Sequence, residues 1–291
     1  MTAIIDRNLK LFFRNRVGVF FSILSSLIVL LLYIVFLKHN MIVSWHQISR
    51  PTRLLDPWLI GGMLSVTAVT TTLDGVRQYV TDQERVAVDF EIAPVSEFKY
   101  QLAYGISAFI IGVMMQIVVF IVNAAYFGLA DGVYFGFSTD VKLFLVCVEN
   151  TLVTSLISMA LATWVKSIDT WSTMESIVAT ASGFLSGIYI PIGSLPRFAQ
   201  TLIKFYPGAY SASLYRRILM NEPMNHVFLN NEASVQRAFQ SQLGIGYMIH
   251  GVVTTFGSEF MVTMLFGGLA VAFIVIKIAV EHMQERRLRY N

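Results

Sequence analysis

The side chains able to do chemistry gather in few places along this chain. The stretch from Asp74 to Tyr100 carries Asp74, Arg77, Asp82, Glu84, Arg85, Asp89, Glu91, Glu97 and Lys99 between two long apolar runs. Charges of both signs are costly in hydrocarbon, so this segment must leave any bilayer that the flanking runs enter. A short charged hairpin in that place suits the receipt of mechanical input from another protein through complementary charge. The plainer alternative is a solvated loop that serves only orientation. A second group lies inside apolar runs, with Glu149 and Asn150 in one and Glu175 in the next. An ionisable group at depth is either a proton or cation site or an interhelical hydrogen bond that fixes packing. Both readings stay open for Glu149, whereas Glu175, near the end of its run, suits packing.

Other chemistries find no residues. There is no GxxxxGK[ST], so ATP hydrolysis is not expected of this chain, and no HExxH. Gly183-Phe-Leu-Ser186-Gly187 lacks the GxSxG spacing. Cys147 is the only cysteine, which excludes an intrachain disulfide and a cysteine metal site. His39, His46, His226, His250 and His282 show no HxxxH spacing. No catalytic residue, metal site or cofactor is expected here. A net charge of +3 without a basic, aromatic-studded stripe sets nucleic acid aside.

The positioning elements follow from composition. Hydrophobic residues make up 55% and charged ones 13%, with a mean hydropathy of +0.64. Soluble domains carry about 25% charged residues. Repeated apolar runs near the spanning length of about 20 residues predict an all-α polytopic membrane protein rather than a β-barrel. Six transmembrane helices are expected, over about 17–37, 57–73, 102–129, 141–165, 171–190 and 260–279. Residues 1–16 form an amphipathic helix, with Ile5, Leu9, Phe12 and Phe13 on one face and Asp6, Arg7, Lys10 and Arg14 on the other. Such a helix lies in the interface plane. Residues 76–98 are the charged hairpin, helical over Gln78–Glu91 and broken by Pro94.

Residues 191–259 are the longest non-spanning region. Short re-entrant or interfacial helices are expected over Leu195–Tyr206 and Tyr210–Leu219, and another helix over Ala233–Leu243. Ser194 is placed to cap the first, and Arg216 and Arg217 to close the second at its C-terminus. Ser65, Thr67, Thr70, Thr71 and Thr72 give the second span a hydroxyl face, which suits a polar path and helix packing equally. The fifth carries Ser172, Thr173, Ser176, Thr180, Ser182, Gly183, Ser186 and Gly187, small residues for a dimer seam, a cavity wall or intramolecular packing. With both termini inside, twelve Lys and Arg fall inside against nine outside. That places the termini and the charged hairpin in the cytoplasm and residues 191–259 outside.

Three stretches carry a family likeness. They are RNLKLFFRNR before the first apolar run, IAPVSEFKYQLAYG at the end of the hairpin, and SGIYIPIGSLPRFAQTLIKFYPGAYSASLYRRIL. Together they resemble the permease subunit of type-2 ABC exporters, with its elbow helix, its segment after the cytoplasmic coupling helix, and its SG…P…LP…P…R signature. The third stretch is the most specific. The resemblance implies a half-transporter that pairs with a second permease, identical or homologous, and with two copies of a cytoplasmic ATP-binding subunit. ATP and Mg would be bound by that partner. Gln78, Asp82, Glu84, Arg85, Asp89 and Glu91 would couple to it. Thr67, Thr70, Thr71, Ser176, Thr180, Gly183, Ser186 and Gly187 would line the substrate path or dimer seam. Pro191, Pro196 and Pro207 would frame an external gate. Residues 221–246 are longer than the family needs and match no motif, so a cap or a partner site is open there.

The expected function is export of an amphipathic or hydrophobic molecule (a drug, an antimicrobial peptide or a lipid-like compound) across a bacterial cell membrane. A polysaccharide or teichoic-acid exporter of the same family is the close alternative. An ion-coupled secondary transporter using Glu149, or a membrane sensor or scaffold, are the readings from other classes.

Overall fold

The computed structural model describes residues 1–48, 50–85, 97–228, 233–249 and 252–289. Helix α1 covers Thr2–Arg14 and α2 covers Arg16–Leu32. Asn15 separates them, and its side chain accepts from the Gly18 N–H as the N-cap of α2. A π-helical turn at Tyr33–Leu37 leads into α3 at Lys38–Ser44. The first apolar run is therefore helical to Ser44, beyond its expected end at 37.

Helix α4 spans Thr52–Arg85 without a break. At 1.5 Å per residue it is about 50 Å long, longer than a hydrocarbon core of about 30 Å. The second span and the first part of the charged hairpin are thus one element: no proline lies between Leu73 and Arg85, and Gly75, although it follows Asp74 as in a turn, stays helical where a Cβ would lie 2.9 Å from the Ala108 Cα. Residues 86–96 of the hairpin, which include Asp89, Glu91 and Pro94, lie outside the described residues. Helix α5 covers Glu97–Asp131, α6 Phe137–Ala162 and α7 Ile168–Leu185.

A 3-10 turn at Ile192–Ser194 precedes α8 at Arg197–Ile203, whose N-cap is Pro196 with no side-chain cap. Ser194 does not cap it. Helix α9 covers Pro207–Val227, so Arg216 and Arg217 sit mid-helix rather than at its end. Helix α10 falls at Ala233–Leu243, as the sequence predicts. A small antiparallel pair, β1 at Met248–Ile249 and β2 at Val252–Val253, leads into α11 at Phe256–Arg289.

Among the described residues, five helical stretches are long and apolar enough to cross a membrane: Ser26–Ser44, α4, Phe98–Asp131, Thr139–Ala162 and Phe256–Val280. Helix α7 is not one of them by length and composition. The chain is an all-α polytopic membrane protein. Its core is α4, buried over 94% of its most apolar window, whereas the first and last spans are buried over 22%. Helices α2, α5, α6, α7 and α9 all pack on α4.

Arg216 joins four elements around this core. It is fully buried, with its guanidinium over the Trp58 ring at 4.9 Å. Its Nε donates to the Trp58 carbonyl at 3.3 Å, Nη1 to that of Leu243 at 3.2 Å and Nη2 to that of Ser186 at 2.9 Å. Ser186 is the C-cap of α7 and Leu243 the last residue of α10. Helix ends leave carbonyls without intrahelical partners and carry partial negative charge. One cation therefore serves two helix C-termini, which accounts for a buried arginine with no carboxylate on it. Gly61 and Gly62 make room, since a Cβ on Gly62 would lie 2.9 Å from Arg216 Nη2.

Replacing Arg216 with Met takes the guanidinium donor from the buried Ser186 carbonyl and leaves the Leu243 carbonyl with the Trp58 Nε1–H alone. We expect a loss of about 2–4 kcal/mol, read as a lower melting temperature of the purified protein in detergent. An unchanged melting temperature would remove Arg216 from this role.

Candidate functional site

The charged end of α4 is a joint between three helices. Asp82 is 5% exposed and collects four donors. Arg7 Nη1 donates to Oδ2 at 2.7 Å, the Tyr104 hydroxyl to Oδ2 at 2.6 Å and Gln78 Nε2 to Oδ1 at 2.7 Å, with Arg7 Nη2 at 3.3 Å. Arg7 belongs to α1 and Tyr104 to α5. Beside them Asn8, buried on the same α1, donates to Ser107 Oγ at 3.4 Å. The amphipathic N-terminal helix is thus latched onto α4 and α5 by polar bonds. Asp82 and Gln78 face this joint, so of the residues expected to couple to a partner only the far side of the helix end is open.

Glu84 lies on that open side, and its Oε2 accepts from the Ile168 N–H at 3.0 Å. It supplies a carboxylate to the N-terminus of α7, where the helix dipole favours negative charge. One turn and more above, Arg77 Nη2 donates to Glu175 Oε2 at 2.5 Å and Nη1 to Ser172 Oγ at 3.4 Å, with Asp74 3.4 Å from Nε. Glu175 accordingly ties α7 to α4. Arg85 is exposed.

The hydroxyl face of α4 lies inside. Thr67, Thr70 and Thr71 are buried and return their protons to carbonyls of their own helix, at 2.8 Å to Met63, 3.2 Å to Thr67 and 2.6 Å to Thr67. Thr67 also meets Ser26 of α2 at 2.6 Å. None of the three faces an open path in this conformation. Ser176 and Thr180 differ, for they lie on an exposed face of α7 with Thr173, Ile177 and Phe184. Gly183, Ser186 and Gly187 are buried. A Cβ on Gly183 would strike the Tyr189 ring, and Gly187 turns the chain at φ +65°, so both serve the turn after α7.

Asn150 donates to the Tyr215 hydroxyl at 3.3 Å, and Tyr215 donates to Gln116 Oε1 at 2.6 Å, which joins α6, α9 and α5. Glu149 is buried, and Thr263 of α11 donates to its Oε1. Pro191 caps the 3-10 turn, Pro196 caps α8 and Pro207 opens α9, where a missing N–H costs nothing. Sequence reading missed a further network. Tyr33 donates to Asp56 Oδ1 at 2.7 Å, and Lys38 pairs with Asp131 at 2.5 Å and with Asp56 at 3.5 Å. The π-helical turn between Tyr33 and Lys38 sets this register. The one signal available was a lysine and two aspartates at the edges of apolar runs.

These features define a helical membrane protein whose charged helix end is bonded to the amphipathic N-terminal helix. The family model for ABC-2 type transporters matches residues 1–220, so the chain belongs to that family and is a permease subunit of the type-2 ABC class. Permeases of this family work with an ATP-binding subunit. No curated protein matches the chain.

Replacing Asp82 with Asn removes the charge that holds Arg7. We expect amide hydrogen exchange in α1 to rise about tenfold, equivalent to about 1.4 kcal/mol, with α5 unchanged. The paired exchange of Arg7→Asp with Asp82→Arg should restore part of the protection. Exchange as slow in D82N as in the wild type would show that the latch is apolar.

Proposed function

We propose that this chain is the permease half of an ATP-driven exporter for an amphipathic or hydrophobic molecule. In this reading six helices cross the membrane, with α7 as the fifth, α1 lies in the interface as an elbow and both termini are cytoplasmic. Two permease copies pair with two ATP-binding subunits. The observation that carries the reading is the unbroken α4. It runs from the Arg216 junction at one end to the Asp82 joint at the other. A push on its charged end moves α1 through Asp82 and α7 through Glu84 together.

The exposed face of α7 supports the place of the second copy. Thr173, Ser176, Ile177, Thr180 and Phe184 form a stripe at helical spacing that no other element covers among the described residues. Its hydroxyls bond their own helix: Ser176 to Ser172 at 2.9 Å and Thr180 to Ser176 at 2.8 Å. The face therefore meets a partner or a cargo without an unsatisfied donor. Hydroxyls and apolar groups without free charge favour an amphipathic cargo over a sugar polymer.

Two measurements test this. The chain co-expressed with its ATP-binding subunit in nanodiscs should show ATPase activity stimulated by an amphipathic compound. Glu84→Lys should lower that stimulation by at least about fivefold, the low end of ordinary coupling energies. Failure to co-purify an ATP-binding subunit, with transport driven by an ion gradient and lost in E149Q, would favour the ion-coupled alternative. In a Cys147→Ser background, Thr180→Cys should cross-link two copies, whereas Gly183→Cys should not. Cross-linking at neither position would move the seam elsewhere.

A further inference from the structure

A cavity of about 1260 Å³ opens between α6, α9 and α11. No residue of α7 lines it. Its volume exceeds the usual small-molecule pocket of about 300–1000 Å³, which leaves space for an amphiphile of lipid size. The wall is divided by chemistry. Leu145, Leu152, Phe260 and Met264 are apolar and partly exposed, so the cavity has an apolar mouth on the flank of the bundle. Asn221, Glu222, Asn225 and His226 of α9 line another part.

Glu149 also lines this cavity. Thr263 holds its Oε1, while Oε2 is buried without a hydrogen-bond partner. The charges around it do not cancel. Arg217 is committed to Glu259 at 3.1 Å, with its Nη2 on the Thr254 carbonyl. That leaves Glu149 and Glu222 against Lys142 alone, an excess of acid. A buried carboxylate gains most from a cation that also donates hydrogen bonds.

We infer that this flank cavity binds a lipophilic organic ammonium, with its N–H groups donated to Glu149 Oε2 and its apolar body against Leu145, Leu152, Phe260 and Met264. The shared chemistry is a protonated amine on an apolar tail, supplied by a membrane lipid headgroup or by a free amphiphile. The site stands apart from the α7 face, and binding to it requires neither ATP nor transport.

The test is equilibrium binding of radiolabelled dodecylamine to the full chain in phosphatidylcholine nanodiscs, with uptake by empty discs subtracted. Saturable binding near one per chain is expected, weakened at least tenfold in Glu149→Gln. Leu145→Trp, which narrows the mouth without touching the carboxylate, should weaken it likewise and guards against a folding defect in the first variant. Dodecyl sulfate of the same chain length should not compete. Uptake that does not saturate, that is equal in wild type and both variants, or that dodecyl sulfate displaces equally, would overturn the assignment. Weaker probe binding in phosphatidylethanolamine discs supports the site and assigns it to a lipid amine. Unchanged binding there supports the site and assigns it to a free amphiphile.

Discussion

A buried guanidinium between two helix ends is the constraint on which this structure turns. Arg216 finds no carboxylate, yet it sits where α7 and α10 both present their last carbonyls and where the Trp58 ring offers a π face. Remove the cation and α7 loses its cap, while the last carbonyl of α10 keeps only the Trp58 indole N–H at 2.7 Å. The arrangement also explains why a signature runs from Ser186 to Arg216. Gly187 makes the left-handed turn, Pro196 and Pro207 start two helices, and the last residue of the series reaches back to the carbonyl of the first. What reads along the chain as scattered residues is one closed ring of bonds.

Polar groups elsewhere follow the same economy of self-satisfaction. Hydrocarbon offers no water, so each hydroxyl or charge must find its partner within the protein. The threonines of α4 use their own carbonyls. The charges near its two ends form separate clusters: Asp56 with Tyr33 and Lys38, Asp74 and Arg77 with Glu175, and Asp82 with Arg7 and Tyr104. Each cluster binds α4 to a different neighbour. Some buried atoms keep no partner, Glu149 Oε2, Asp56 Oδ2 and Trp171 Nε1 among them.

Much of this was legible in the sequence, and the failures have physical reasons. Helical period and run length were enough to find the amphipathic α1, most of the spans and the short α10. The ends of elements were harder. The charges after Leu73 mark where α4 leaves an apolar setting, but Gln, Glu and Arg are good helix formers, so the helix does not stop there. Arg216 was read from local spacing as a residue closing its own helix, and it caps two others that are distant in sequence. The Lys38, Asp56 and Asp131 cluster was invisible for the same reason, since each member lies at the edge of a separate run and only packing brings them together. Asp82 looked like an external contact because it sits in a charged stretch, and the buried latch appears only once α1 and α5 are in place. The membership in the ABC-2 family agrees with the likeness carried by the three quoted stretches.

The hydroxyls on the open face of α7 have a final consequence. Because Thr173, Ser176 and Thr180 each bond the carbonyl one turn back, they hold their hydrogen bonds whatever lies opposite. A surface moving across that stripe breaks no strong directional contact at any point of its travel. Resistance to such a motion comes from the packing of Ile177 and Phe184, while Glu175 and Glu84 keep α7 itself fixed to α4.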